Sequence, residues 1–118
     1  MRHSKHKYKL GVDPAHRKSM IRNLATEIID HGKIKTTHTR SKALKIFVEK
    51  LVTIAKEDSV ANRRLVYAKL NNREATNKLF TDVAPKFKQR PGGYTRIIKV
   101  ADQRLGDATK MAYISFVD

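Results

Sequence analysis

The sequence contains no cysteine and no tryptophan, and only three prolines and five glycines occur among its 118 residues. Without cysteine the chain can form no disulfide bond, no thiolate zinc site and no thiol nucleophile. Its apolar runs are all shorter than the roughly 20 residues that cross a bilayer, and its N-terminus lacks the apolar stretch of a signal peptide. We therefore expect a cytoplasmic protein with no membrane partner.

Acidic residues are also scarce. Asp and Glu number 11 against 26 Lys and Arg, which gives a formal net charge of +15 at pH 7. Residues 1–50 carry 13 basic and 4 acidic side chains, and residues 51–118 carry 13 and 7. This excess repels itself in the folded protein unless a polyanion neutralises it, and it is typical of proteins that bind nucleic acid.

The N-terminal segment is the most one-sided part of the chain. Residues 1–9, MRHSKHKYK, hold four cationic side chains, two histidines and one tyrosine, and they include no acid. Such a segment gains little by folding on itself and much by lying along a polyphosphate. We predict a basic nucleic-acid-binding arm over residues 1–12 and a single globular domain over residues 13–118.

The globular part begins with a clear helix signal. Asp13 supplies an acceptor at the N-cap, and Pro14 is harmless at the first helical position, where no N–H is needed. Apolar residues then follow helical spacing as far as His31, and Gly32 is expected to end the helix in the left-handed conformation. Residues 33–37 alternate with a period of two, which predicts a short strand with a basic outer face.

The remaining pattern predicts three more helices and two strands. The helices are expected from near Thr39 or Ser41 to Lys56, from Val60 to Leu70, and from a capping box at residues 71–74 to about Val83, ahead of Pro85. Strands are expected over residues 95–100 and 111–117, joined by a turn at 101–107. The order of one helix, one strand, three helices and two strands predicts an α+β fold: a two-layer domain with a small three-stranded sheet.

Three stretches suit contacts with a polyanion. His16, Arg17 and Lys18 lie in the first turn of a helix, where cations are unfavourable unless a phosphate binds there. The alternative for these residues is solvated charge tolerated by a stable helix. Residues 36–42, TTHTRSK, combine hydroxyls and cations suited to sugar and phosphate oxygens, although ordinary capping by Thr39 or Ser41 explains part of that pattern.

The third stretch is a double glycine followed by an aromatic residue. Gly92 and Gly93 permit close approach of a sugar–phosphate chain, and Tyr94 can stack on a base. Alternatively, this is a plain loop with Tyr94 packed on the core. No strand-to-helix context or glycine spacing supports a nucleotide-binding loop here.

Catalysis is not indicated. His3 and His6 have no fixed third ligand, and Asp102 and Asp107 lie in a turn without a partnered histidine or serine. We expect no enzyme activity, no metal site, no cofactor and no small-molecule substrate.

Several motifs resemble those of bacterial ribosomal protein L-seventeen of the large subunit. They are KLG at residues 9–11, HRKSMIRNLA at 16–25, IKTT at 34–37, EKLVTIAK at 49–56 and RPGGYTRI at 90–97. The resemblance covers essentially the whole chain in the right order. It departs at Val12, where the family often has a cation, at residues 41–43, and at the turn over residues 101–105, which lacks the usual glycine–proline pair.

The resemblance implies a structural component of the large ribosomal subunit, a cytoplasmic ribonucleoprotein without catalytic residues. Its implied partners are the large-subunit 23S rRNA and neighbouring ribosomal proteins near the nascent-chain exit. RNA of this kind is recognised through shape, phosphates and 2′-hydroxyls. Two alternatives are weaker: a nucleoid-type DNA-binding protein, for which the first helix offers little base readout, and a basic enzyme acting on RNA.

The predicted RNA-binding residues fall into three groups. The phosphate contacts are expected to be Arg2, Lys5, Lys7, Lys9, Arg17, Lys18, Arg22, Arg40, Lys42 and Arg96. The sugar, base-edge or stacking contacts are expected to be His3, His6, His16, Asn23, Thr36, Thr37 and Tyr94. Lys35, Gly92 and Gly93 complete the predicted set.

Overall fold

The computed structural model describes residues 13–117, apart from the side chain of residue 102. The helices are α1 (Pro14–His31), α2 (His38–Ala55), α3 (Val60–Leu70) and α4 (Arg73–Lys78), followed by a π-helical turn (Leu79–Val83) and a 3₁₀ helix (Ala84–Phe87). The strands are β1 (Lys33–Thr37), β2 (Thr95–Gln103) and β3 (Lys110–Phe116). The predicted α+β class and order of elements are confirmed. The predicted arm over residues 1–12 lies outside the described residues.

Helix α1 begins and ends where local chemistry predicts. The Asp13 carboxylate accepts the His16 N–H at 2.8 Å, and Pro14 occupies the first helical position. At the other end Gly32 adopts the left-handed conformation with φ 79° and donates its N–H to the Ile28 carbonyl. Both predicted ends are therefore confirmed.

Helix α2 starts earlier than predicted. It begins at His38, because the hydroxyl of Thr37, the last residue of β1, accepts the Arg40 N–H at 3.2 Å. Thr37 thus ends the strand and caps the helix, and no loop residue separates the two elements. Neither Thr39 nor Ser41 is the cap. Ser41 is instead fully buried and donates to the His38 carbonyl at 2.6 Å.

The predicted capping box of the fourth helix is wrong by one residue. Asn71 takes the left-handed conformation, with φ 53°, and ends α3. Asn72 then caps α4 by accepting the Ala75 N–H at 2.9 Å. Glu74 therefore falls at the second helical position, one residue short of the place from which a glutamate completes a capping box.

Pro85 does not stop the helical path. The chain widens into the π-helical turn and continues through Pro85 into the 3₁₀ helix, where proline near the N-terminus needs no N–H partner. This course buries Phe80 and Phe87 in the core. Burial of these large side chains explains why the chain stays helical beyond the predicted end.

The sheet has the order β1-β3-β2, and both pairs are antiparallel. Ile34, Ile114 and Ile97 lie side by side across the three strands, on the face that packs against the helices. Strand β2 runs past its predicted end at Val100 to Gln103, with an irregularity between Lys99 and Gln103. The turn to β3 is correspondingly shifted towards the C-terminus.

Replacing Gly32 by alanine should lower the free energy of unfolding by about 1–2 kcal/mol, because the left-handed conformation is costly for a residue with a Cβ atom. The space around a Cβ at this position is open, so the cost comes from the backbone alone. Urea unfolding measures it. Gly92→Ala is the matched control, since that position has equal space and no positive φ, and it should change stability little. Equal losses in both variants would contradict this account.

Candidate nucleic-acid interface

The predicted site residues of the described chain lie in separate areas. Helix α1 has 18 residues and is about 27 Å long, so His16 at its start lies far from Lys33, which follows its end. One area is therefore the N-terminal half of α1. The others are the start of α2, the outer face of the sheet and the loop before β2. The predicted contacts of Arg2, His3, Lys5, His6, Lys7 and Lys9 lie outside the described residues.

At the start of α1, His16 and Lys18 are exposed and Arg17 is half-buried. The first turn contains no acidic residue, as predicted. However, the Asp13 carboxylate already accepts the His16 N–H. The His16 N–H, which the sequence suggested as a donor to phosphate, is therefore already used by the cap.

Arg22 joins α1 to the end of α3. Its Nε donates to the Lys69 carbonyl at 3.1 Å, which fixes the guanidinium at the surface. Arg22 and Asn23 line a cleft of about 470 Å³ together with Ser19, Thr26, Glu27, Leu70, Asn71 and Asn72. The guanidinium, amides and hydroxyls of this cleft suit contacts to sugar and phosphate oxygens, whereas the Glu27 carboxylate repels phosphate.

The two threonines before α2 are not available at the surface. Thr36 and Thr37 are only 6% and 8% exposed, and the Thr37 hydroxyl is the helix cap. Burial of both side chains therefore does not favour their predicted contacts with RNA, and the Thr37 hydroxyl is already used by the helix. Arg40 is half-buried and Lys42 is exposed, so both remain accessible.

A cationic cluster surrounds His38 at this junction; we call it the His38 cluster. Burial and the nearby ammonium groups of Lys42, Lys99 and Lys110 lower the pKa of His38 below its usual value. These lysines come from α2, β2 and β3. His38, Lys99 and Lys110 were not predicted as site residues, because only the pairing of the strands brings them together.

The outer face of the sheet carries a second group of cations. Lys33 and Lys35 on β1 are exposed, as is Arg96 on β2. Lys35 pairs with Tyr113 of β3, and Lys33 and Arg96 both pair with the next outward-facing residue of that strand, Ser115. Two of the predicted site residues, Lys35 and Arg96, are thereby placed on one surface.

The glycine-rich loop has a structural role. Tyr94 is 1% exposed, and its ring centroid lies 5.3 Å from that of Phe87. Hydrogen bonds from Thr53 and Lys56 to the phenol oxygen lower the pKa of Tyr94. The predicted stacking of Tyr94 on a base is therefore wrong, because the core covers the ring, and the alternative of packing on the core is correct.

The residues beside Tyr94 hold β2 to α2. The Thr95 N–H and hydroxyl both donate to Oε2 of Glu49, at 3.2 and 2.8 Å. Gly93 has φ 62°, which lets the chain turn so that the tyrosine points inward. Gly92 is half-buried and Gly93 is exposed, so the backbone of the double glycine still reaches the surface.

The described part of the chain contains neither a metal-binding group nor a bilayer-spanning helix. Within residues 13–117, no three His, Asp or Glu side chains are grouped so that they can hold a metal ion. None of the helices described there combines the length and the apolar character of a bilayer span.

A comparison with known protein families decides the identity of the fold. The family model for ribosomal protein L17 matches residues 20–117. This chain belongs to the ribosomal protein L17 family. The L17 match includes most of α1, the whole sheet and the His38 cluster, whereas the predicted arm and the start of α1 precede it. L17 proteins are structural proteins of the large ribosomal subunit, and the resemblance noted in the sequence is confirmed.

Titration of the His38 imidazole by NMR tests the cluster. We expect a pKa below the usual 6.5, and we expect the joint change of Lys99→Gln and Lys110→Gln to raise it by removing two of its causes. Because the pKa of His38 is lowered in the folded state, the unfolded chain binds the proton more readily. The free energy of unfolding should therefore decrease as pH falls through about 6.5 towards the lowered value.

Added duplex RNA should raise the same pKa, since phosphates offset the lysines. Lys86→Gln with Lys88→Gln is the matched control; both of these lysines are exposed and lie outside the cluster, so the pKa should not move. A pKa at or above 6.5 in the free protein would contradict the described arrangement.

Proposed function

We propose that this chain is a structural constituent of the large ribosomal subunit that binds and stabilises folded 23S rRNA through its basic arm and its basic surfaces. The observation that carries the proposal is the His38 cluster in a member of the L17 family. Burial of one imidazole and the charges of lysines from three different elements together lower its pKa. Holding these charges together is unfavourable until a polyanion neutralises them.

The distribution of ion pairs supports this reading. In the described part of the chain, Asp30, Glu49, Asp58 and Asp107 pair with Lys78, Lys45, Arg63 and Arg104, among others. All of these partners lie outside the His38 cluster and the outer face of the sheet. The acids are therefore used for local structure and do not offset the charge of those two surfaces.

The proposed mechanism separates positioning from affinity. Phosphate contacts supply affinity and fix orientation without reading sequence. The His38 cluster on one side of the sheet, and Arg96 and Lys35 on the other, are fixed by helix and strand, so each group can hold phosphates of folded rRNA in a set position. The arm adds further cations that order on the RNA. Its place near the nascent-chain exit, beside other ribosomal proteins, is inferred from the family resemblance.

Fractionation of a cell lysate tests the function. The chain should appear at one copy per large subunit in a sucrose gradient and remain there after a high-salt wash, because many phosphate contacts act together. Mass spectrometry of the fractions measures its amount against that of other large-subunit proteins. Recovery with nucleoid or soluble fractions, and absence from the subunits, would refute the proposal and favour DNA binding.

Deleting residues 2–9 tests the arm. The deletion should leave the melting temperature unchanged and weaken rRNA binding, with the slope of log K against log salt smaller by roughly 3–4, since four cationic side chains are lost. A matched variant with Arg2, Lys5, Lys7 and Lys9 changed to glutamine should behave alike. A melting temperature several degrees lower, or an unchanged slope, would show that the arm is not a separable binding segment.

A further inference from the structure

The face of the sheet that points away from the helices carries an aromatic ring at its centre. Strand β3 lies between β1 and β2, and its residues Ala112 and Ile114 are fully buried. Because side chains alternate along a strand, Tyr113 projects from the opposite face. Its direct neighbours across the strands are Lys35 on β1 and Ile98 on β2.

The charges around this ring are positive. Nζ of Lys33 lies 4.5 Å from the centroid of the Tyr113 ring, and Nζ of Lys35 lies 6.0 Å from it. Arg96 on β2 pairs with Ser115, which lies two residues after Tyr113 on β3. Arg96 is therefore a diagonal neighbour of Tyr113 at about 7–8 Å. Cations therefore flank the ring on both sides.

The same face also exposes apolar surface. Ile98 is 52% exposed and lies directly across from Tyr113. The two side chains form an apolar patch with lysines at one edge and an arginine at the other. A nucleotide has the complementary form, since its base is a flat apolar ring system and its phosphates are anionic.

We propose that this face binds an unpaired segment of RNA, with one base stacked on Tyr113 and Ile98 and the adjoining phosphates bound by Lys33, Lys35 and Arg96. The inference rests on the proposed rRNA-binding function. It adds single-stranded RNA as the ligand of this surface and Tyr113 as the stacking residue.

An unpaired segment fits better than a duplex or a protein. In a duplex the base faces are already stacked on each other, so the ring of Tyr113 would have no partner. The face is three strands wide, about 10 Å, and sheets of this kind present aromatic rings to splayed bases. A protein partner would have to be strongly acidic to match the three cations. The contact of Lys33 with the ring is weaker than base stacking, so a base can displace it.

Binding measurements on the full chain test the proposal. The probes are an oligouridylate of ten nucleotides, which has no stable structure, and a duplex RNA of 16 base pairs. Tyr113→Leu should weaken oligouridylate binding by about 5- to 100-fold without changing its salt slope, because stacking involves no counterion release. Tyr113→Phe should retain binding, and duplex binding should be unaffected by either change.

Removing the lysines, unlike removing Tyr113, should change the salt dependence of oligouridylate binding. Lys33→Gln with Lys35→Gln should reduce the salt slope for the oligouridylate by about 1.4, or roughly 0.7 for each phosphate contact with a single strand. Tyr67→Leu is the matched control, since Tyr67 is a 41% exposed tyrosine on α3. It should leave both the affinity and the slope unchanged.

Two further measurements probe position 113 directly, and the first of them needs no variant. In the unaltered chain, NMR signals of the Tyr113 ring should shift upfield on addition of oligouridylate, and those of Tyr67 should not. A photo-reactive phenylalanine at position 113 should cross-link to RNA in assembled subunits. Unshifted Tyr113 signals, equal binding by Tyr113→Leu, or a cross-link to protein would overturn the inference.

The two proposals fail in different ways. A chain that stays with the large subunit and binds duplex RNA, but shows no effect of Tyr113 on oligouridylate, refutes only the single-strand site. Absence of the chain from large subunits refutes the proposed function and the inference with it.

Discussion

The whole domain depends on the burial of helix α2. On one side this helix packs against all three strands, and on the other it packs against α1, α3 and the π-helical turn. Its residues Leu44, Val48 and Leu51 are fully buried, and they form a continuous apolar row at helical spacing. Glu49 adds a polar link to β2 through Thr95. Because α2 starts directly at the end of β1, packing of this helix also fixes the position of the basic surfaces.

The sequence predicted those parts of the fold that depend on local chemistry. The ends of α1 were predictable because Asp13, Pro14 and Gly32 act on their own neighbours. The course past Pro85 was not, because it depends on burying Phe80 and Phe87 against elements distant in the sequence. A similar limit applies to the far end of β2, where pairing with β3 extends the strand beyond the apparent pattern.

The candidate site was predictable only where exposure could be read from the pattern. Lys35 lies on the outer face of its strand, as the alternating pattern predicted, and Arg96 is also exposed. The inward orientation of the Tyr94 ring depends on contacts with Phe87 and Lys56. No local signal in the sequence distinguished an inward from an outward ring. The His38 cluster could not be predicted for a related reason, because its members are brought together by the strand order β1-β3-β2.

That strand order also determines when the sheet can form during synthesis. β1 pairs only with β3 in this sheet, and more than 70 residues separate the two strands in the chain. At about 5–20 residues per second, synthesis of the residues between the two strands alone takes roughly 4–14 s, and β1 has no partner during that time. During that time the helices can form, but the sheet cannot, since within residues 13–117 β2 also pairs with β3 alone. The nascent chain therefore spends several seconds with unpaired, cation-rich strands, and its final shape is reached only once β3 has left the ribosome that makes it.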